Sequence, residues 1–222
     1  MNLQKPTEDM TETLFQEIWK STIPARELMT YYRCAMMEIK TKFNVLNEQF
    51  SLQYNRNPIE TISSRLKSPQ SIYEKLKRKG YDKDLKTIEK TIMDIAGVRV
   101  ICSFEDDIYM LRNCLLSQDD IYLVQEKDYI KNPKPNGYRS LHLIVEVPIF
   151  LQNEKRQMKV EIQFRTIAMD SWASLEHRLR YKQDICPETQ QKISQDLAKC
   201  AKLSSDIDRI MMTIKNTVEH AV

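Results

Sequence analysis

The feature that most constrains this chain is its shortage of glycine. Only three glycines, Gly80, Gly97 and Gly137, occur in 222 residues, whereas average usage would be about 7%. A Rossmann fingerprint, a Walker A loop and a kinase glycine-rich loop each need clustered glycines, because their backbone must approach a phosphate closely. None of these loops can form here, so any phosphate that this chain binds must be held by side-chain cations instead.

Length and composition predict one globular domain. The chain is 41% hydrophobic and 29% charged, and its length fits a single packed domain. A net charge of +3 is too small to indicate nucleic-acid binding by itself. The sequence shows neither an apolar signal segment nor an apolar stretch long enough to span a membrane. Five widely spaced cysteines without a Cys-x-x-Cys pair argue against disulfides or zinc and predict reduced thiols in a cytoplasmic protein.

Hydrophobic periodicity predicts an α/β fold, in which a sheet of at least four strands is flanked by helices and long helices lie at both ends. Apolar residues at steps of four and three predict a long helix over about 24–54, which begins near Thr22 and Pro24. A second helix begins at Pro69 and ends at Gly80. The other predicted elements are strands over 95–104, 121–129, 139–147 and 159–165, and helices over 105–116, 167–181 and 187–220.

The last predicted helix carries an apolar seam whose steps alternate between four and three residues. Two interpretations stay open. The seam packs on the protein's own sheet or N-terminal helix, which is the commoner use of such a pattern, or it joins copies of the chain into an oligomer. The seam consists of Ile193, Leu197, Cys200, Ser204, Ile207, Met211, Ile214 and Val218.

A cluster of lysine and arginine residues surrounds and occupies the second predicted helix. Ser71, Lys75 and Arg78 share one helical face at positions i, i+4 and i+7, while Ile72 and Leu76 face the core. A row of fixed cations suits a polyphosphate, because arginine offers a planar fork and lysine a point charge. A solvated charged face would look the same, and the segment alone favours that simpler interpretation.

Two acidic residues are candidates for a metal site. Alternation places Lys159, Glu161, Gln163 and Arg165 on one face of the predicted strand 159–165, although a solvent-facing strand shows the same pattern. Asp94 stands at the entrance of a buried strand with no turn residue around it. If Asp94 and Glu161 converge, they form a site of hard oxygen ligands. Mg²⁺ is commonly held by one or two carboxylates, with substrate phosphates completing its octahedron.

The turn-prone segment Lys131–Gly137 leads into a third candidate site. Gly137 permits unusual backbone geometry directly before Tyr138, and strand alternation places Tyr138 and His142 on one face. A tyrosine at such a junction, beside Lys134, can stack on a nucleobase. For His142 alone, a hydrogen-bonded structural role is the commoner case.

Five segments occur in a fixed order over about residues 55–185. They are Ser64-Arg-Leu-Lys67 with Ser71-Ile-Tyr-Glu-Lys75 and Arg78, Asp94-Ile-Ala-Gly-Val-Arg99, Asn136-Gly-Tyr-Arg-Ser-Leu-His142, Val160-Glu-Ile-Gln-Phe-Arg-Thr166 and Trp172-Ala-Ser-Leu-Glu-His177. In residues, order and spacing they resemble the small alarmone synthetases, the single-domain members of the RelA/SpoT family. Five linked motifs are far more specific than any one of them.

The resemblance implies a nucleotidyltransferase-like α/β fold, with a mixed sheet of about five strands flanked by helices, in which residues 1–222 form a single (p)ppGpp synthetase domain. The catalytic core would span about 55–185, and the terminal helices, about 24–54 and 187–220, would serve packing and oligomerisation. The implied enzyme is a GTP diphosphokinase, which transfers the β,γ-pyrophosphate of ATP to the 3′-hydroxyl of GTP or GDP. Its products are the alarmones of the stringent response, pppGpp and ppGpp.

The resemblance also implies a role for each candidate site residue. The ATP-binding residues would be Arg65, Lys67, Ser71, Lys75, Arg78 and Arg99. The residues that bind GTP or GDP would be Lys127, Lys134, Asn136, Tyr138, His142, Gln163 and Glu176. Arg65 and Arg99 would sandwich the adenine, and Tyr138 would stack on the guanine. Asp94 and Glu161 would be the catalytic, Mg²⁺-binding pair, with Glu161 as the candidate base for the 3′-hydroxyl.

The resemblance says less about regulation than about catalysis. None of the three histidines is followed by aspartate, whereas the hydrolase motif of the long family members contains a His-Asp pair, so the resemblance implies synthesis without hydrolysis. It also implies a cytoplasmic homotetramer. The loop Pro58–Ser64 lacks the Phe and Gly of the alarmone-activated subgroup, and Asp170 stands where that subgroup has Asn. These departures leave open whether an alarmone or single-stranded RNA regulates the chain.

Two alternatives to this function remain. The same chemistry can serve another acceptor, because toxic relatives pyrophosphorylate tRNA 3′ ends or adenine nucleotides. A non-catalytic RNA-binding regulator is the other alternative, although a binding module has no need of the pair Asp94 and Glu161.

Overall fold

The computed structural model describes residues 8–54, 56–180 and 186–221. It confirms a five-stranded mixed sheet flanked by helices. In chain order the elements are α1 (Glu8–Ser21), α2 (Ile23–Tyr54), β1 (Ile59–Leu66), α3 (Pro69–Lys79), α4 (Leu85–Thr91), β2 (Ala96–Cys102), α5 (Glu105–Leu116), β3 (Tyr122–Asp128), β4 (Leu141–Phe150), β5 (Lys155–Thr166), α6 (Ile167–Arg180) and α7 (Pro187–Glu219). Within the described residues, no helix combines the length and the apolar composition needed to cross a bilayer.

The sheet has the strand order β1-β2-β5-β4-β3. Strands β2 and β5 are parallel, and the other three neighbouring pairs are antiparallel. Side chains alternate between the two faces of each strand, so Val98 and Val100 of β2 and Ile162 and Phe164 of β5 share the buried face. The opposite face of the same central strands carries polar side chains, and the candidate site lies there.

Helix α2 covers the buried face of the sheet. Its predicted apolar stripe is confirmed, because every member of the stripe is buried. Phe43 meets Phe164 of β5 edge to face, with ring centroids 5.5 Å apart, a geometry that adds to the stabilisation from burial. The stripe consists of Leu28, Tyr32, Ala35, Ile39, Phe43, Leu46 and Phe50.

Helix α3 has the termini that its sequence predicts. The Ser68 hydroxyl caps its first turn by accepting from the backbone N–H of Ser71, and Pro69 opens the helix. Gly80 ends it in the left-handed conformation at φ 66°, which glycine adopts without steric cost. Ile72 and Leu76 are buried as expected, which turns the cationic face of α3 away from the core.

Three segments differ from expectation. The segment Pro58–Ser64, interpreted above as a loop, instead enters β1, which pairs antiparallel with β2 as an edge strand. Its β-branched residues suit a strand, and pairing with β2 supplies partners for its backbone. Helices α1 and α4 were not predicted. Within α1, Phe15 stacks on Trp19, with ring centroids 5.5 Å apart. The Asp84 carboxylate caps the first turn of α4 by accepting from the N–H of Thr87.

The seam on α7 faces outward in the single chain. Ile207, Met211, Ile214 and Val218 are all about half exposed or more, so the first interpretation, packing on the sheet or on the N-terminal helix, is wrong for these residues. The inner face of α7 is instead offset from the seam and includes Ala201 and Asp208, both buried. The inner face packs against Trp172 of α6 and the turn at Gly137 through Ala201, and against Arg139 through Asp208.

Candidate active site

Strand register aligns the predicted site residues in two rows across the open face of the sheet. In the first row, Arg65 of β1 lies beside Gly97 of β2, and Gly97 lies beside Glu161 of β5. The second row runs Arg99 of β2, Gln163 of β5, His142 of β4 and Lys127 of β3. Because neighbouring strands are about 4.8 Å apart, each row forms a continuous polar strip.

A small cavity of about 110 Å³ lies over these rows. Arg65, Asp94, Arg99, Glu161 and Gln163 all contribute to its lining, together with the backbone at Gly97. The structure thus brings Asp94 and Glu161 to one cavity, as the sequence analysis predicted. Asp94 reaches it from the turn that precedes β2, and Glu161 from the middle of β5.

Asp94 is paired with two of the predicted phosphate-binding cations. Lys67 Nζ donates to one carboxylate oxygen at 2.9 Å and Lys75 Nζ to the other at 2.8 Å. Burial alone would raise the pKa of Asp94, but the hydrogen bonds and charges of Lys75 and Lys67 outweigh it and hold the pKa below its ordinary value. Asp94 is therefore ionised at neutral pH, and the two ammonium groups are fixed next to the cavity.

Glu161 is held by its neighbours in the second row. Gln163 Nε2 donates to Oε2 at 2.8 Å, and His142 Nδ1 lies 3.6 Å from Oε1. Burial and the negative charge of Asp94 raise the pKa of Glu161, but the nearby His142 and the hydrogen bond from Gln163 lower it by a larger amount, so that the net shift is downward. Asp94 and Glu161 line the same cavity.

The donor set fits Mg²⁺ held jointly with a substrate. Among the residues that the structure describes, no group of three or more His, Cys, Asp and Glu side chains lies close enough to hold a metal ion. A complete protein cage is therefore absent from this part of the chain. Two ionised carboxylates on one cavity, however, match the usual protein contribution to a Mg²⁺ site that substrate phosphates and water complete.

Arg65 and Arg99 lie on adjacent strands at the opposite side of the cavity from β4. Both arginines line the cavity, and burial, together with the positive charges of Arg165 and Arg65, lowers the pKa of Arg99. Arg99 Nη1 is 3.3 Å from Asp170 Oδ1, and Arg165 Nη1 is 2.8 Å from the same oxygen. One carboxylate thus restrains two planar cations at the edge of the cavity.

An aromatic cluster occupies the β4 side of the site. The rings of Tyr129, Tyr138 and His142 meet edge to face, with centroids between 5.3 and 6.0 Å apart. Lys134 Nζ lies over two of these rings, 4.6 Å from the centroid of Tyr129 and 4.7 Å from that of Tyr138. An ammonium group on the faces of two tyrosines is a cation–π arrangement, which fixes Lys134 beside the predicted stacking residue.

A hydrogen-bonded chain links this cluster to Glu161. Arg165 Nη2 donates to the Tyr138 hydroxyl at 2.9 Å, and that hydroxyl lies 2.8 Å from His142 Nε2. The hydroxyl accepts from arginine and has one proton of its own, which favours donation to Nε2. That tautomer of His142 carries its proton on Nδ1, the nitrogen that faces Glu161.

The remaining predicted residues lie around these groups. Asn136 Nδ2 donates to Glu176 Oε1 at 3.2 Å, which ties the predicted acceptor turn to α6. Ser71 is one turn before Lys75 on α3, and its hydroxyl accepts from that of Ser68 at 3.0 Å. Arg78 and Lys127 are exposed at the periphery, Arg78 in the last turn of α3 and Lys127 at the end of the second row.

Comparisons with known proteins show the family to which the chain belongs. A model of the region found in RelA and SpoT proteins matches residues 64–185. The GTP pyrophosphokinase YwaC of Bacillus subtilis is 42% identical to this chain over 219 residues, which cover 99% of the chain and 100% of that protein. The chain belongs to the RelA/SpoT family.

Solved structures of small alarmone synthetases share the fold of this family member. Small alarmone synthetase 2 of Bacillus subtilis matches with a TM-score of 0.77 and 43% identity, over 86% of this chain and 98% of that one. Small alarmone synthetase 1 of the same organism, bound to its product pppGpp, matches with a TM-score of 0.78 and 35% identity, over 87% and 97% of the two chains.

Sequence reasoning assigned no role to three residues of this RelA/SpoT site. Periodicity placed Arg165 on the same face of β5 as Glu161 and Gln163, but gave no sign of its contacts with Asp170 and Tyr138. Asp170 was considered only as a departure from the alarmone-activated subgroup, whereas the structure shows it holding Arg99 and Arg165. Tyr129 had no local signal, because its contact with Tyr138 depends on how the turn between β3 and β4 folds back.

Proposed function

We propose that the chain is a GTP pyrophosphokinase that makes pppGpp from GTP or ppGpp from GDP, with ATP as the donor and AMP as the other product. The observation that carries the proposal is the meeting of two ionised carboxylates, Asp94 and Glu161, in one cavity between a cationic helix and an aromatic cluster. Pyrophosphoryl transfer needs alignment and charge neutralisation more than covalent catalysis. This site supplies both.

The donor nucleotide is assigned to the α3 side of the cavity. Lys67 and Lys75 are fixed there by Asp94, and Ser71 and Arg78 extend the same face of α3 for the phosphates. Arg65 and Arg99 lie on adjacent strands near each other, as two guanidinium planes that hold an adenine between them require. The shortage of glycine is consistent with this assignment, because side-chain cations replace a backbone cradle.

The acceptor nucleotide is assigned to the β4 side. Tyr138 offers an aromatic face for guanine, and Asn136, Gln163 and Glu176 supply polar groups around it. Lys134 and Lys127 are the cations for the acceptor's 5′-phosphates, and His142 lies between Tyr138 and Glu161. The 3′-hydroxyl of an acceptor stacked on Tyr138 would then be near Glu161.

Glu161 is assigned as the base, and Asp94 and Glu161 as the Mg²⁺ ligands. The low pKa of Glu161 keeps it ionised, so it can accept the 3′-hydroxyl proton as that oxygen attacks the β-phosphorus of ATP and AMP leaves. Mg²⁺, when bound, would neutralise charge on the transferred phosphates. Lys67, Lys75 and Arg78 would contribute further positive charge to the same oxygens.

The test is AMP release from ATP plus GDP, measured by product chromatography. Glu161→Gln and Asp94→Asn should each reduce turnover by at least about 10³-fold, since each removes charge that acts at the reacting groups. Glu74→Gln is the matched control, because Glu74 is exposed on α3 beside Gln70. Full activity in both site variants would refute the assignment. Parallel reactions with GTP, GMP, ATP and tRNA as acceptors distinguish guanosine specificity from the chemistry of the toxic relatives.

The acceptor assignment has its own test. Tyr138→Ala should raise the KM for GDP much more than the KM for ATP, because it removes the stacking face but leaves the α3 side intact. Tyr122→Ala, at an exposed tyrosine on β3, is the control. Equal effects of Tyr138→Ala on both substrates would remove the stacking role.

We further propose that copies of the chain assemble through the exposed seam of α7 into a homotetramer in the cytoplasm. The seam is apolar and accessible, and contiguous exposed apolar surface of this kind marks association sites. All five cysteines are free thiols, as in a reducing compartment. Light scattering of Ile214→Glu should report a smaller species, whereas Asn216→Glu, at an exposed position on the same helix, should not change the mass.

A further inference from the structure

We propose that α7 is a positioning element for the acceptor nucleotide, and that Asp208 acts on the site through Arg139 by holding the turn that carries Tyr138. This inference rests on the proposed function, because it takes Tyr138 as the acceptor's stacking residue. It assigns to α7 a role in catalysis that is separate from assembly, since Asp208 lies on the inner face of the helix and the seam on the outer face.

The first observation is that α7 packs directly against the backbone of the turn. A Cβ added at Gly137 would lie closer than 3.0 Å to the Cβ of Ala201 on α7, a separation that real Cβ atoms essentially never show. Ala201 is buried with Trp172 of α6, and Tyr138 packs against this small cluster. The turn and the helix therefore touch with no room for a side chain between them.

The second observation is a buried charge cluster directly after Tyr138. Arg139 Nη1 is 2.7 Å from Asp208 Oδ2, and Arg139 Nη2 is 2.7 Å from Glu105 Oε2 at the start of α5. Asp208 is 7% exposed and Arg139 is 10% exposed. Removing one partner of such a pair leaves the other charge buried and uncompensated, which is much more costly than losing a surface ion pair.

The third observation is that these contacts hold the turn from behind. In extended backbone, consecutive side chains point to opposite sides, so Arg139 points toward α5 and α7 while Tyr138 points toward His142 and Arg165. Trp172 Nε1 also donates to the backbone carbonyl of Leu197 at 2.9 Å, which fixes α7 against α6 one turn before Ala201. Helix α7 thereby sets the position of three consecutive residues, 137–139.

The donor side of the site has no such contact with α7 among the described residues. Lys67, Lys75 and Asp94 are organised by α3 and by the turn before β2. A disturbance of α7 should therefore affect the acceptor and leave the donor unchanged. This selectivity separates a positioning role from a merely structural one, which would lower the amount of active enzyme and leave both KM values unaltered.

The experiment compares Asp208→Asn with Asp206→Asn in the full-length chain. Asp206 lies two positions away on the same helix and pairs with Arg209 in solvent, so it controls for the loss of one carboxylate from α7. Because a misplacement of about 1 Å can cost about 100-fold in rate, we expect Asp208→Asn to raise the KM for GDP by about tenfold or more. The KM for ATP should change less than about twofold, and Asp206→Asn should leave both constants at wild-type values.

A second pair of variants tests the contact with Gly137 and covers the case in which Asp208→Asn does not fold. Ala201→Val adds two methyl groups at the turn, whereas Ala198→Val adds them at an exposed position of α7, with the same cost in helix propensity. Only Ala201→Val should weaken acceptor use. Calorimetric titration of GDP without ATP provides a readout independent of turnover and should show the same order, and urea unfolding checks that each variant is folded.

The outcomes separate the two proposals. If Tyr138→Ala raises the KM for GDP but folded Asp208→Asn and Ala201→Val do not, the positioning role of α7 is wrong and the acceptor site stands. If Tyr138→Ala itself leaves the KM for GDP unchanged, the proposed acceptor site is wrong. Equal increases in both KM values for Asp208→Asn would also overturn the inference, because the effect of α7 would then not be confined to the acceptor side.

Discussion

Replacing Gly137 with alanine should destabilise the protein far more than the same change at Gly80. Both glycines have left-handed backbone, with φ of +88° at Gly137 and +66° at Gly80, so alanine costs about 1 kcal/mol of backbone strain at either position. The surroundings differ. Nothing lies within 4 Å of a Cβ at Gly80, whereas a Cβ at Gly137 would overlap Ala201.

The difference between the two variants isolates the overlap. Forcing an extra methyl group into a packed site costs about 1–3 kcal/mol, so Gly137→Ala should lose about 2–4 kcal/mol in total and Gly80→Ala about 1 kcal/mol. For a chain of this size, each kcal/mol lowers the Tm by about 2–4 °C. Urea unfolding followed by circular dichroism gives the free energies, and scanning calorimetry gives the Tm values.

A double variant provides the decisive control. Ala201→Gly removes the methyl group that the new Cβ would meet, so Gly137→Ala combined with Ala201→Gly should lose less stability than the sum of the two single changes. The reasoning fails if Gly137→Ala is no less stable than Gly80→Ala. It also fails if the two losses are additive, because the overlap with Ala201 would then not be the cause.

Three further predictions concern charge, thiols and space in the site. Burial raises the pKa of Asp94, but Lys75 and Lys67 lower it by more. The ionised Asp94 therefore stabilises the folded protein at neutral pH, and this contribution is lost as pH falls through the depressed pKa. Urea unfolding should show that the stability advantage of wild type over Asp94→Asn shrinks below pH 3.8. Hydrogen bonding to Thr189 lowers the pKa of the exposed Cys186 thiol, whereas burial raises the pKa of the Cys102 thiol. Mass spectrometry after brief iodoacetamide treatment should therefore find Cys186 modified, and Cys102 unmodified until the protein unfolds. Gly97→Val should change the free energy of unfolding by less than about 1 kcal/mol from the wild-type value, since a Cβ there meets only Arg65 at 3.7 Å or more. Steady-state kinetics should nevertheless show a raised KM for ATP, because the new side chain enters the cavity.

The parts of the fold that follow from local sequence were predictable. Helix α3 has its cap serine, its opening proline and its closing glycine, and α5 and α7 begin at the residues that were predicted. The convergence of Asp94 and Glu161 on one cavity was predictable only on the condition that their two segments are neighbours in the sheet. Periodicity shows which face of a strand a residue occupies, but not which strand lies beside it. The parallel pairing of β2 with β5 supplies that missing fact.

The parts that depend on distant packing could not be predicted. Strand β1 has few apolar residues and contains the sequence that was interpreted as a loop, because an edge strand needs only one partner and one half-buried face. The buried pair Arg139 and Asp208 joins residues that are far apart in the chain, and neither position differs in pattern from an ordinary surface charge. The apolar seam of α7 indicated a helix correctly but gave no sign that the buried face would be a different one, which combines Ala201 with the charged Asp208.

The pairing of Asp94 with Lys67 and Lys75 explains how three charged groups can lie half-buried beside the cavity. A half-buried carboxylate and two half-buried ammonium groups would each be costly without a partner, and here Asp94 is the partner of both lysines. Donor phosphates bring negative charge for the lysines, and Mg²⁺ brings positive charge for Asp94. Binding of both together therefore exchanges one set of ion pairs for another, whereas binding of either alone would leave a group without its partner. This predicts that ATP and Mg²⁺ bind cooperatively and that Asp94→Asn weakens the cooperativity, which titration of ATP with and without the metal can measure; independent binding in the wild-type protein would contradict the argument.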